Sequence, residues 1–199
     1  SHCLSYAYHT ARLDKIMHTI IPKIIFGAKA FHFANKINNE YKVIATAHLD
    51  SLPDRSKVFL SFGEIDCRPN EGLIAAALKL DRSIEDLVSE TVNGYLKWFA
   101  QQNAYKNHNF YFFNVPAVVY KKQIDAELNR KVANTVKSFN DTIRKKIFDY
   151  GFNLIDVYKL TTRDDGYSNG LFHIDNRHLG SSIIPEIEKQ LYALNNESC

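Results

Sequence analysis

Near the end of this 199-residue chain stands the run His173-Ile174-Asp175-Asn176-Arg177-His178-Leu179-Gly180, and its first residue is a serine, Ser1. The spacing of Asp175 and His178 lets one loop hold a carboxylate against an imidazole, the arrangement in which a histidine acts as general base for a serine hydroxyl. A serine hydroxyl is a weak nucleophile until a neighbour accepts its proton, and histidine is the side chain whose ordinary pKa suits that task near neutrality. The carboxylate would fix the imidazole tautomer and stabilise its cation. The chemistry expected of Ser1, Asp175 and His178 is therefore acyl transfer through serine. Each residue also has a plainer use: Asp-x-x-His makes a turn in a polar loop, and serine before a helix is a favoured cap.

Elements able to position these groups are legible as four short apolar runs rich in β-branched and aromatic residues, 20–26, 58–62, 109–115 and 152–157. They alternate with longer amphipathic stretches at about 4–18, 40–51, 84–104, 122–150 and 183–194. Strands without polar alternation, separated by helices, predict a parallel sheet with crossover helices and hence one three-layer α/β/α domain spanning 1–199. The 122–150 stretch is long enough to need a break near its start, and Gly151 supplies its stop. A sheet of this kind should deliver Ser1 from a strand, so the first strand is expected upstream of Ser1. The carboxyl ends of such strands line the binding crevice, placing Ser1, Gly27, Gly63 to Arg68 and the Pro116 region along one edge.

Composition limits the alternatives. A 45% hydrophobic, 24% charged chain can bury a core without staples. Its net charge of +3 is spread among Asp and Glu with no basic stripe, so no nucleic-acid partner is expected. Cys3, Cys67 and Cys199 are too few and too separated for a disulfide framework or a Cys-x-x-Cys metal site. No metal and no cofactor is implied, and no apolar run is long enough for a membrane span or a leader. The sequence assigns no compartment; the lack of a visible leader or disulfide framework favours the cytoplasm, and an upstream leader could have been removed. Trp98, Tyr95 and Phe99 space like the core face of a helix.

In its ordered motifs the chain resembles the SGNH or GDSL hydrolase superfamily over nearly its whole length. Ser1-His2-Cys3-Leu4-Ser5 is similar to the end of that family's nucleophile block, Phe26-Gly27-Ala28 to its second block, Gly63-Glu64-Ile65-Asp66 to its Gly-x-Asn-Asp block, and Asp175 with His178 to its last block. Phe139 to Arg144 and Phe152 to Val157 are similar to its penultimate helix and last strand. The resemblance implies a flavodoxin-like fold with a catalytic triad of Ser1, Asp175 and His178, and oxyanion or substrate contacts at Gly27 and Gly63. It implies a serine esterase that removes a small acyl group from a saccharide or another small-molecule ester, or an O-acyltransferase, or a member that has lost activity and only binds. Ile65 departs from the family, because it stands where an asparagine would donate to the oxyanion. Arg68 is the first candidate to replace that donor, ahead of His32, Asn35 and Asn70, and its alternative is an ion pair with Glu64, Asp66 or Glu71. The backbone N–H groups of Ser1 and Gly27 would face the same oxyanion.

Overall fold

The computed structural model describes residues 2–13 and 15–197. Its centre is a parallel sheet of β3 (Lys57–Ser61), β4 (Asn109–Phe113) and β5 (Asn153–Ile155), with β4 in the middle. Val58 lies opposite Phe110, and Phe112 opposite Leu154. Alternation along β4 divides its aromatic rings between two cores. Phe110 and Phe112 join the larger one, with Phe33, Leu96, Phe99, Phe139 and Ile143 from helices on that side. Tyr111 and Phe113 join Ile155, Leu179, Ile183 and Leu191 on the other. Both faces of the sheet are therefore covered, which is why β4 reads as an unbroken apolar run.

The helices around the sheet are α1 (Ala30–Ala34), α2 (Glu40–Asp50), α3 (Leu73–Leu80), α4 (Ile84–Gln102), α5 (Ala126–Lys146), α6 (Val157–Thr161) and α7 (Ile184–Glu197). Local chemistry sets their limits. The Ser83 hydroxyl accepts from the Asp86 N–H at 3.0 Å to begin α4. The Asp125 carboxylate accepts from Glu127 and Leu128 N–H at 2.7 and 3.1 Å to begin α5. That cap is the break expected within 122–150, and Gly151 in the left-handed region ends the stretch after a short 3-10 turn. Tyr95 and Phe99 are buried in the larger core, and Trp98 packs against it from the rim.

Two expected elements are corrected. The 4–18 stretch is not a helix: after a 3-10 turn (His2–Tyr6), β1 (Thr10–Leu13) and β2 (Ile16–Thr19) form an antiparallel hairpin. The residues of β1 alternate exposed and buried, and its Ala11 and Leu13 turn into the second core. Alternation serves a two-stranded ribbon packed on one side, and the β-branched Thr10, Ile16 and Thr19 fit it. The 20–26 run, expected as a strand, has no regular structure between β2 and the turn at Phe26-Gly27. Its Ile20 and Ile25 pack against different cores, which pulls the segment off the sheet.

Candidate active site

The loop before α7 is a small hairpin. Ile174 N–H donates to His178 O at 2.9 Å and Gly180 N–H to Phe172 O at 2.8 Å, while buried Leu179 anchors the returning arm. At its tip, Asp175 uses both carboxylate oxygens. One accepts from the Arg177 and His178 backbone N–H groups at 2.6 and 2.7 Å. The other meets His178 Nδ1 at 2.6 Å. The turn and the carboxylate–imidazole pair are thus one device: the backbone bonds aim the oxygen that holds the ring. A proton shared on Nδ1 leaves Nε2 as the ring's basic atom. The His178 hydrogen bond, followed by the two backbone donors, holds the Asp175 carboxyl well below the usual carboxylate range. It stays ionised wherever the imidazole is to act.

The hairpin is braced from behind. His173 Nδ1 meets Ser168 Oγ at 2.9 Å, and the Ser168 N–H donates to Val118 O at 2.8 Å. Partial burial pushes the His173 pKa down, with the Asp175 charge pulling the other way.

Segments following Gly27 and β3 are bolted together by Asp66. Its carboxylate, almost fully buried, accepts from Ala30 and Phe31 N–H at 2.8 and 2.9 Å. Burial raises its pKa against the pull of those donors. Lys29 Nζ donates to Glu71 O at 2.6 Å and ties the same two segments at the surface. Gly63 has φ of +110°, and a Cβ there would sit 2.6 Å from the Phe139 ring and 2.9 Å from Val115, so glycine is required by both backbone and space. Gly63 is therefore packed beneath the loop, while Gly27 is exposed in a turn with φ of +69°.

Arg68 is engaged on three nitrogens. Its Nε and Nη2 hold the Glu64 carboxylate at 3.0 to 3.1 Å and 2.7 Å, and Nη1 holds Glu71 at 2.7 Å. The ion-pair alternative is the one this geometry supports. Glu71 is held below its usual range chiefly by the Arg68 hydrogen bond, with smaller contributions from the Lys29 and Arg177 charges. His32 stacks on Tyr41 with centroids 3.9 Å apart, and its Nδ1 accepts from Lys29 N–H at 3.1 Å. Asn35 is spent on the turn that follows α1, accepting from Ile37 N–H at 3.0 Å. Ser1 lies outside the described residues; of the residues expected at the site, the structure pairs Asp175 with His178.

Sequence reasoning missed the buried polar bolts behind β4. Asn140 spans both backbone groups of Val115 at 2.8 Å each. Asn114 donates to Asp156 at 2.7 Å and accepts from Tyr158 N–H at 2.9 Å. Thr161 Oγ1 accepts from Ala117 N–H at 2.9 Å. A polar residue ending an apolar run, as in Asn114-Val115-Pro116, was their one visible trace. Cys67 is buried, and burial pushes its thiol pKa up, which keeps it inert. Among the described residues no group of three or more His, Cys, Asp or Glu could hold a metal ion. No helix among them is long and apolar enough to cross a membrane.

No protein-family model matches the chain, and no curated protein does. Among solved structures it is similar to a phospholipase A1 from Streptomyces albidoflavus NA297, at 14% identity and a TM-score of 0.44 over 78% of this chain and 75% of that one. It is also similar to an acetyl xylan esterase, at 17% identity and a TM-score of 0.44 over 81% of this chain and 76% of that one.

Proposed function

We propose that the chain is a serine ester hydrolase that works through an acyl-enzyme and removes a small acyl group from a carbohydrate ester. Ser1 Oγ attacks the acyl carbon, His178 Nε2 takes its proton and returns it to the departing alcohol, and water then repeats the sequence on the acyl-enzyme. Asp175 keeps the ring in its working tautomer. The Ser1 and Gly27 backbone N–H groups face the oxyanion, and Arg68 serves the frame through Glu64 and Glu71. The observation that carries this reading is the Asp175 carboxylate, aimed by two backbone donors onto His178 Nδ1 at 2.6 Å. A three-layer, flavodoxin-like arrangement of the whole protein belongs to the same reading.

A fluorophosphonate probe tests it. Labelling at Ser1 that is lost in Ser1→Ala and strongly slowed in His178→Ala is the expected result. A native protein that takes no label is a binding module. If an added saccharide raises acyl turnover above hydrolysis, the enzyme is an O-acyltransferase.

A further inference from the structure

A groove of about 750 Å³ runs between the N-terminal half of α5 and the segment that follows α6. Small-ligand sites have this size. Its floor is Ala126 and Ala133, on one face of the helix, whose small side chains let a ligand approach the backbone cylinder. Tyr120 and Tyr167 line it side by side, with Tyr158 also in the lining.

The two tyrosine-bearing segments are set in advance. Buried Asn129 accepts from Lys121 N–H at 3.1 Å and donates to Lys121 O at 2.8 Å, pinning the residue after Tyr120 to α5. In the adjoining segment, Arg163 N–H donates to Tyr167 O at 2.8 Å, and the Arg163 guanidinium grips Asp165 at 3.1 and 2.7 Å. Tyr120 and Tyr167 meet edge to face, centroids 5.2 Å apart. A preformed groove loses little freedom when it binds.

The charges decide what it takes. Lys137 is paired with Asp141, and Arg163 with Asp165. Arg130 and Asp164 remain, both exposed, of opposite sign, and with no side-chain partner among the described residues; Asn134 is equally unengaged. The unspent recognition is a planar donor, a planar acceptor, a carboxamide and phenol rings, with the two free charges cancelling. A phosphate or a polyanion would gain from Arg130 and be repelled by Asp164. A sugar suits both: its hydroxyls donate and accept, adjacent hydroxyls span a planar guanidinium or carboxylate, and the C–H face of a pyranose packs on a tyrosine ring.

We infer that this groove binds a neutral oligosaccharide. Its purpose rests on the proposed function: a chain held there would carry its ester to the histidine hairpin, which the groove wall joins through Tyr167 to Ser168, the partner of His173. Binding itself does not need that reading to hold. Calorimetric titration of the whole chain with cellohexaose, xylohexaose and chitohexaose is the test. Saturable binding of at least one is expected, weakened about tenfold or more by Asp164→Asn, Arg130→Gln and Tyr120→Ala. The first two residues are exposed and unpartnered, so those variants should keep the wild-type melting temperature. His178→Ala should bind the sugar as the parent does while losing ester hydrolysis. Three results overturn the inference: no binding of any of the three up to about 10 mM, binding indifferent to all three groove variants, or tighter binding of oligogalacturonate than of the neutral sugars. Sugar binding without serine labelling would instead leave the groove standing and remove the hydrolase reading.

Discussion

At the scale of single residues, the reaction depends on which histidine nitrogen is basic. Asp175 settles that by accepting the Nδ1 proton at 2.6 Å. In Asp175→Asn, an amide can keep the backbone bonds to Arg177 and His178 and still present an N–H to Nδ1. The ring then takes the opposite tautomer, with Nε2 protonated and unable to accept from a hydroxyl. Turnover of p-nitrophenyl acetate should fall by about 10²–10⁴-fold with an unchanged melting temperature; turnover near the parent's would detach Asp175 from catalysis. Arg68 offers the contrasting case. An oxyanion donor is worth about 10²–10³ in rate, but this guanidinium is already divided between Glu64 and Glu71. Arg68→Ala should therefore leave turnover within about tenfold of the parent, and a larger loss in a folded variant would make it the donor that Ile65 cannot be.

At the scale of elements, the hairpin depends on a brace that protons can attack. Burial depresses the His173 pKa in the folded protein, so at pH values just below the ordinary histidine value the open hairpin binds more protons than the closed one. Stability of the closed form then rises with pH through that window and is lost on acidification. Exchange at the Ile174 and Gly180 amides should accelerate as pH falls from 7 to 5, beyond the intrinsic pH effect, and His173→Gln should abolish the excess. An excess that survives the substitution would place the proton elsewhere. Asp66 is the other bolt. Asp66→Ala strands the Ala30 and Phe31 donors, at a cost of about 1–3 kcal/mol for each one left buried, read from urea denaturation; an unchanged midpoint would mean that water replaces the carboxylate.

These two devices also mark what the sequence could disclose. Asp175 and His178 are neighbours along the chain, so their pairing was legible from spacing alone. Asp66 finds its donors some thirty-five residues away, and Asn140 reaches Val115 twenty-five residues back, contacts that only the tertiary fold creates. The same contrast runs through the elements. Strands β3 to β5 announced themselves as short apolar runs, and helices α2, α4, α5 and α7 as long amphipathic stretches. The five-residue α1 and α6 complete too few turns to do so, and α3 is little longer. The β1–β2 hairpin misled because its exposed edge carries Ile16 and Met17, which filled in an apparent helical stripe.

At the scale of the whole molecule, one thin sheet joins two cores. Phe112 is fully buried on the larger side, and Phe113 on the other side stacks on Tyr6 at 6.0 Å. Neighbouring residues of one strand thus belong to different cores, and neither core can come apart without exposing the backbone bonds that β4 makes to β3 and β5. Phe112→Ala should cost about 3–5 kcal/mol, the range for emptying a buried aromatic site. Because the sheet is shared, that loss should lower the stability of both cores together. Trp98 packs against the larger core, so its fluorescence follows that side, while the methyl signals of Ile183 and Leu191 follow the other. In urea the two signals should move with one midpoint in the parent and one lower midpoint in the variant. If the Ile183 and Leu191 signals keep the parent's midpoint while Trp98 shifts, the two sides are independent folding units. The histidine hairpin, anchored by Leu179 in the second core, would then gain nothing from the packing around β3 that positions Gly63 and Arg68.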